Sequence, residues 1–187
     1  MKKNNNGAPL IQILNFGMRG VGKLAIVEQF GKDLFNESRG TVDCSLYSLQ
    51  EKEYRIPSLE EDQEVEEKKF KVQLWSLNEQ DTKDDSLLTH FFKITDCICL
   101  VYDITDRDSF DSIDLYVNKL EKFDFTGPII LIGNKSDLDD NRAISPEEGK
   151  ELADIYAIEF FETSAKTNEG IEEAIECVVS QYYSKNY

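Results

Sequence analysis

Apolar runs alternate with amphipathic stretches along the whole chain. Residues 97–102 and 128–132 form short, nearly continuous apolar runs, as expected of central strands that are buried on both faces. Residues 109–123, 146–156 and 169–183 carry apolar side chains at helical spacing. Strands that alternate with helices in this way predict a mostly parallel α/β sheet with helices on both faces.

The remaining segments fit the same architecture. A first strand over residues 10–16 is followed by a glycine-rich turn and a helix over residues 23–30. Residues 44–49 and 70–75 alternate apolar and polar side chains, which predicts a half-exposed hairpin. The segment Ser145-Pro146-Glu147-Glu148 is typical of a helix start, because it offers a capping hydroxyl followed by proline and acidic residues.

Composition narrows the range of functions. The chain has 187 residues, which suits one domain, and 40% of them are hydrophobic, enough for a buried core. It carries 21 Lys and Arg against 37 Asp and Glu, a formal net charge of −16. A surface this acidic repels phosphate backbones and anionic lipid, which excludes nucleic-acid binding through bulk charge.

Two further properties concern the compartment. No apolar run approaches the roughly 20 residues that cross a bilayer, so we expect a soluble, cytoplasmic protein. We also expect a monomer. The four cysteines lack metal-ligand spacing and mostly lie in apolar segments, which predicts reduced core thiols at Cys44, Cys97, Cys99 and Cys177.

A phosphate-binding pattern follows the first strand. It reads Gly17-Met18-Arg19-Gly20-Val21-Gly22-Lys23-Leu24. Seven of its eight positions allow the pattern G-x-x-x-x-G-K-[ST], in which backbone N–H groups and a helix N-terminus cradle phosphates and the lysine reaches the terminal ones. The eighth position should offer a hydroxyl to Mg²⁺, and the side chain of Leu24 has no ligand atom.

Two more motifs follow buried strands, Asn134-Lys135-Ser136-Asp137 and Thr163-Ser164-Ala165-Lys166. With these three motifs in this order, the chain resembles the Ras superfamily of small GTPases over residues 8–183. The resemblance implies a P-loop G domain, with a six-stranded, mostly parallel sheet, one antiparallel edge strand and helices on both faces. Residues 35–38, 75 and 101–105 are similar to Rab proteins in particular.

The resemblance also implies roles for single residues. Phosphates are expected at Gly17, Gly20, Val21, Gly22 and Lys23. We also assign Arg19 to the phosphate site, at a position where the family often has glycine. The guanine base of GTP or GDP is expected at Phe35, Asn134, Lys135, Asp137, Ser164, Ala165 and Lys166, with Asp137 accepting from N1–H and the amino group. Gln80 matches the catalytic glutamine that orients the attacking water in this family.

The metal half of the family site is altered. Ser76 stands where the family has the Asp that helps to hold Mg²⁺, and Leu24 replaces the hydroxyl. Thr41 lies one residue early for the switch threonine, and Glu79 replaces a glycine whose N–H meets the γ-phosphate. We therefore expect no metal ligands here and slow or absent hydrolysis. Three interpretations of Arg19 stay open: it supplies part of the missing metal charge, it obstructs the catalytic residues, or it is solvated.

The ends and one insertion complete the picture. We expect residues 1–7 to be flexible and residues 184–187 to form a short tail that lacks a prenylation cysteine, so that the chain has no membrane anchor of its own and reaches membranes through a partner, if at all. The hairpin between the second and third strands holds an insertion at residues 50–69, with eight acidic and four basic side chains. It is either a solvated tip or a docking loop for a basic partner.

Three functions remain in consideration. The first is an atypical small GTPase that binds guanine nucleotide with slow or absent hydrolysis, in intracellular signalling or vesicle traffic. The second is a nucleotide-independent scaffold that binds effector or regulator proteins through its switch face or acidic loop. The third is an ordinary GTP-hydrolysing Rab-like switch, which Gln80 favours.

Overall fold

The computed structural model of the protein describes residues 10–32, 42–43, 47–56, 68–77 and 85–186. Within them the strands are β1 (Leu10–Phe16), β2 (Val42–Asp43), β3 (Tyr47–Ile56), β4 (Lys68–Leu77), β5 (Cys97–Asp103), β6 (Ile129–Asn134) and β7 (Glu159–Thr163). The helices are α1 (Lys23–Lys32), α2 (Asp85–Ile94), α3 (Arg107–Asp111), α4 (Ile113–Lys122), α5 (Pro146–Ile155) and α6 (Ile171–Asn186), and a 3₁₀ segment covers Ser136–Asn141.

The strands form one sheet in the order β2-β3-β4-β1-β5-β6-β7. The pairs from β4 to β7 are parallel, which confirms the predicted mostly parallel sheet, and β3 runs antiparallel to β4. The described part of the chain contains seven strands where six were predicted, because the two-residue β2 pairs with the outer side of β3. The antiparallel strand is thus next to the edge. A two-residue strand is too short to show an alternating pattern.

The β3–β4 hairpin is longer than its sequence pattern indicates. Pairing runs from Tyr47↔Leu77 to Ile56↔Lys68, so residues 50–56 of the predicted insertion belong to the ladder. Charged side chains in that stretch hide the alternation of a strand, whereas the backbone hydrogen bonds do not depend on it. Residues 57–67 lie outside the described part, as does the flexible segment expected at residues 1–7.

Each face of the sheet has its own core. One core joins the sheet to α1 and α6 and includes Ile13, Ile26 and Val178. The other lies under α2, α4 and α5 and includes Phe16, Phe91, Tyr116 and Ala153. Helices therefore cover both faces, as predicted, and β5 is buried along its whole length. None of the helices in the described ranges is long and apolar enough to span a membrane.

The cysteine prediction is confirmed for two residues. Cys97 and Cys99 are free and buried in the first core. Burial raises the pKa of both thiols, so they stay protonated at neutral pH and are poor nucleophiles. Cys177 is partly buried, and Cys44 lies outside the described residues.

The predicted start of α5 is also confirmed. Ser145 Oγ accepts a hydrogen bond from Glu148 N at 3.2 Å, and the Glu148 carboxylate accepts one from Ser145 N at 2.9 Å. This reciprocal pair satisfies two N–H groups that the helix leaves open. The Arg107 guanidinium, together with the Ser145 N–H, lowers the pKa of Glu148 to about 2.

Candidate functional site

The turn after β1 surrounds the side chain of Lys23, the first residue of α1. Its glycines, Gly17, Gly20 and Gly22, have φ of +154°, +90° and +96°, a region that favours glycine. Lys23 is 7% exposed, and its Nζ donates to the carbonyl oxygens of Gly17 and Met18, at 2.6 Å each. The first N–H groups of α1 lack partners within the helix and carry its positive dipole end. The turn therefore suits an anionic group such as phosphate.

Asn134, the last residue of β6, joins this turn to a second loop. It is 1% exposed, and its Nδ2 donates to Val21 O at 2.8 Å. Its Oδ1 accepts from Thr163 Oγ1 at 3.1 Å and from Ala165 N at 3.3 Å. A Cβ on Gly22 would lie 2.2 Å from Asn134 Nδ2. The glycine is thus required for the close approach of the two loops.

We expect Gly22→Ala to be more destabilising than Gly20→Ala. Both positions have positive φ, which costs a non-glycine residue about 1–2 kcal/mol. Only Gly22 also meets Asn134, whereas a Cβ on Gly20 finds no atom within 4 Å. Urea denaturation should show a larger loss of unfolding free energy for Gly22→Ala. Equal losses would contradict the close approach.

The carboxylate of Asp137 is held by the loop after β7. Ser164 Oγ donates to Asp137 Oδ1 at 2.6 Å, and Lys166 Nζ lies 3.4 Å from Oδ2. The same Ser164 Oγ accepts from the backbone N–H groups of Lys166 and Thr167, at 3.2 and 3.1 Å. The Ser164 hydroxyl and the Lys166 ammonium lower the pKa of Asp137. The carboxylate is therefore ionised at neutral pH and can accept hydrogen bonds from a ligand.

Lys135 lies between Asn134 and Asp137 and has an unusual backbone. Its φ is +70°, in the left-handed region. Its ammonium Nζ lies 2.5 Å from Oδ2 of Asp103, the last residue of β5. The second Asp103 oxygen accepts from the backbone N and the hydroxyl of Thr105, at 2.9 and 2.8 Å.

Arg142 connects the two loops from the outside. Its guanidinium donates to both oxygens of Glu162 on β7, at 2.5 and 3.0 Å, and its Nε donates to Asp139 Oδ1 at 2.6 Å. These contacts raise the pKa of Arg142. The 3₁₀ segment that contains Asp137 is thereby attached to β7.

We expect Arg142→Lys to lower the free energy of unfolding by about 2 kcal/mol, because an ammonium cannot reproduce the two-pronged contact of a guanidinium with a carboxylate. Thermal and urea denaturation measure the change. Lys150→Met is the matched control, since it removes an exposed i,i+4 pair with Asp154 and should have no measurable effect. A stable Arg142→Lys variant would show that the loops are held together by other contacts.

In the Ras superfamily, which the chain resembles, a metal ion is expected beside the phosphate turn. The described residues at the two metal-ligand positions offer few ligand atoms. The Leu24 side chain, in the first turn of α1, is 46% exposed and has no ligand atom. Ser76, near the end of β4, is 8% exposed and pairs in register with Asn15 of β1. Within the described residues, no group of three or more His, Cys, Asp or Glu could hold a metal ion. Of these two described positions, Leu24 thus offers no ligand atom, and Ser76 offers a hydroxyl oxygen in place of a carboxylate.

The structure brings most of the predicted site residues to one edge of the sheet. The described members are Gly17, Arg19, Gly20, Val21, Gly22, Lys23, Asn134, Lys135, Asp137, Ser164, Ala165 and Lys166. Arg19 is exposed on the turn. Phe35, Thr41, Glu79 and Gln80 lie outside the described residues.

Sequence reasoning did not assign three residues that contribute to this edge. Asp103 pairs with Lys135, and Arg142 pairs with Glu162 of β7. Asn15 Nδ2 donates to Lys23 O at 3.4 Å. An acidic residue at the end of a buried strand was the available signal for Asp103. Nothing local in the sequence indicates the partners of the other two.

A glycine-rich phosphate turn and two polar loops at the carboxyl edge of a parallel sheet define a P-loop nucleotide-binding fold. The sequence profile of the Ras family matches residues 12–184. The chain therefore belongs to the Ras family of small GTPases.

Named relatives agree with this assignment. The chain is 34% identical over 166 residues to the Ras-related protein Rab-8B of Homo sapiens, covering 88% of this chain and 74% of that protein. It is 35% identical over 170 residues to the Ras-related protein RABE1e of Arabidopsis thaliana, covering 88% and 71%. It is 33% identical over 169 residues to the GTP-binding protein ypt2 of Schizosaccharomyces pombe, covering 88% and 77%.

Proposed function

We propose that this protein binds guanine nucleotide at the carboxyl edge of its sheet, with the phosphates in the turn at residues 17–23 and the base between the two polar loops. The observation that carries the proposal is the hydrogen bond from Ser164 Oγ that holds the Asp137 carboxylate, next to Ala165, whose backbone N–H donates to Asn134 Oδ1. Asn134 connects these groups to the phosphate turn through its bond to Val21 O. Membership of the Ras family supports the same function.

The donors and acceptors of this site favour guanine over adenine. Guanine presents N1–H and an amino group side by side, and an ionised carboxylate accepts from both. Adenine presents an unprotonated N1 at the same edge, which would leave the Asp137 carboxylate facing a lone pair. The Ala165 N–H can turn from Asn134 Oδ1 to the guanine carbonyl oxygen, for which adenine has an amino group. Buried polar groups that meet the wrong base lose their hydrogen bonds, which produces selectivity.

We further propose that the nucleotide is held with little help from Mg²⁺ and that hydrolysis is slow. The support is the exposed side chain of Leu24 and the hydroxyl of Ser76 in place of a carboxylate. Metal coordination stabilises phosphate charge by several kcal/mol in sites that have it. Without that contribution, we expect dissociation constants in the micromolar range rather than the nanomolar range, roughly three decades apart.

Two other functions can be distinguished from this one by a single experiment on nucleotide binding and turnover. An ordinary GTP-hydrolysing Rab-like switch, with a role in vesicle traffic, is consistent with the relatives, one of which is named a GTP-binding protein. A nucleotide-independent scaffold would use the G domain only to bind effector or regulator proteins. In each case the acidic surface, with a formal net charge of −16, favours partners with a basic contact face.

The experiment begins with nucleotide extraction from freshly purified protein, followed by titration with GDP and GTP, each with Mg²⁺ and with EDTA. ADP is the matched control ligand. Binding of GDP but not ADP supports the base site, and similar affinity with Mg²⁺ and EDTA supports the weak metal dependence. Release of inorganic phosphate from GTP then measures turnover. Rapid, Mg²⁺-dependent release would favour the ordinary switch, and no binding at millimolar GDP would favour the scaffold.

A further inference from the structure

A buried carboxylate lies beside the base loops and takes no part in the proposed contacts with nucleotide. Asp103 is 6% exposed, and no other Asp or Glu whose side-chain exposure the structure describes is buried. It ends β5, in register with Asn134 at the end of β6. Burial of a charged carboxylate costs free energy unless it is paired and hydrogen-bonded. The burial of Asp103 must therefore be compensated by its hydrogen-bond and ion-pair partners.

Both oxygens of Asp103 have partners, and the two partners differ in kind. Oδ1 accepts two hydrogen bonds from Thr105, two residues further along the chain, which fixes the orientation of the carboxylate locally. Oδ2 is directed to the ammonium of Lys135, 32 residues away, at 2.5 Å. The Asp103 side chain is 8% exposed and that of Lys135 is 32% exposed. The fixed, buried carboxylate of Asp103 thus anchors the partly exposed ammonium of Lys135, at the edge of the two loops proposed to bind the base.

The backbone conformation of Lys135 indicates what the contact between Asp103 and Lys135 does. A left-handed φ of +70° costs a residue with a side chain about 1–2 kcal/mol, and Lys135 adopts it between Asn134 and the 3₁₀ segment that contains Asp137. Leu138 N donates to Lys135 O at 2.9 Å, which closes the turn. Strained backbone of this kind persists where its surroundings hold it, and it is frequent at ligand-binding sites.

We propose that Asp103 is a positioning residue for guanine binding: its carboxylate anchors the Lys135 ammonium, which fixes the left-handed turn and holds the methylene stem of Lys135 where it can cover the base. This inference rests on the proposed function and adds a residue to its site. Asp103 does not touch the nucleotide. Its effect reaches the base through Lys135 and is absent when that lysine is absent.

The test is a double-mutant cycle on GDP release. Asp103→Asn keeps an acceptor for Thr105 and removes the charge, and Lys135→Met keeps the stem and removes the ammonium. We expect each single variant to release fluorescent GDP about tenfold faster, the scale of one charge-assisted hydrogen bond. The double variant should be no faster than either single one, because each substitution removes the same contact. Lys135→Arg should be close to wild type when Asp103 is present.

Controls separate positioning from general stability. Asp106→Asn removes a nearby carboxylate that caps α3 through Asp108 N, and it should leave GDP release unchanged. Inorganic tripolyphosphate, which has no base, should bind equally to wild type, Asp103→Asn and Lys135→Met. If Asp103→Asn does not fold, Lys135→Met still tests the anchor, because its side chain is partly exposed.

Three results overturn the inference. If the double variant releases GDP faster by the product of the two single effects, the two residues act independently. If the variants lose affinity for tripolyphosphate as much as for GDP, Asp103 has a general structural role. Unchanged GDP release from folded Lys135→Met would show that the ammonium does not contribute. These results leave the proposed function intact when wild type binds GDP. A folded wild-type protein that binds tripolyphosphate but no GDP overturns both.

Discussion

Replacing Asp137 by asparagine is expected to lower the affinity for GDP by two to four decades, roughly the loss of two hydrogen bonds to a charged acceptor. The amide keeps the shape of the carboxylate, and its oxygen can still accept from Ser164 Oγ. Its NH₂ group, however, faces the N–H donors of guanine. Xanthine carries a carbonyl oxygen in place of the guanine amino group, so the variant should gain affinity for xanthosine diphosphate. Titration of wild type and the variant with GDP and with xanthosine diphosphate measures this change in specificity.

Asp139→Asn is the matched control for this prediction. Asp139 belongs to the same 3₁₀ segment, its side chain is 77% exposed, and it pairs with Arg142 rather than with the second base loop. We expect the control to bind GDP as wild type does. Unchanged GDP affinity in Asp137→Asn would place the base elsewhere and would remove the main support for the proposed function.

The pH dependence of GDP binding follows from the same carboxylate. The Ser164 hydroxyl holds the pKa of Asp137 below its ordinary value of about 3.9. Since the folded-state pKa is lowered, the ionised form and its contribution to stability are fully present above the ordinary value. Both are lost only as the pH falls through the lowered pKa. Asp137 should therefore contribute no pH dependence to GDP affinity between about pH 5 and 8.

The combined variant Leu24→Ser with Ser76→Asp is expected to make GDP release depend on Mg²⁺. The two substitutions supply a hydroxyl and a carboxylate, the oxygen ligands that Mg²⁺ prefers. For wild type we expect similar release rates in Mg²⁺ and in EDTA. For the combined variant we expect Mg²⁺ to slow release by about a hundredfold or more, since metal coordination of phosphates is worth several kcal/mol.

Thermal melting gives a second measure of the same prediction. Ser76 is 8% exposed, so an aspartate there buries a charge and should lower the melting temperature of the GDP complex in EDTA. Mg²⁺ should reverse this loss, because a ligand that binds only the folded state stabilises it. Leu24→Ala, which removes the isobutyl group without adding a ligand, is the control and should stay insensitive to the metal. Strong slowing of GDP release by Mg²⁺ in wild type would contradict the prediction.

Local sequence patterns determined much of the fold and of the candidate site of this protein. The apolar runs of β5 and β6 identify central strands, since a strand buried on both faces needs no polar alternation. The start of α5 follows from Ser145 and Glu148, whose reciprocal bonds span three residues. The phosphate turn and the two base motifs are contiguous segments of known chemistry. Their order along the chain was sufficient to suggest the Ras superfamily.

The tertiary structure decided how those segments meet. Asn134 bonds to Val21 across 113 residues, and Lys135 pairs with Asp103 across 32. The short strand β2 and the full length of the β3–β4 ladder likewise depend on pairing with a neighbour. Propensity and periodicity describe each residue in its own segment, whereas these contacts exist only because the parallel strands end at one edge of the sheet. The motifs therefore follow from the sequence alone, and the connections between them follow from packing.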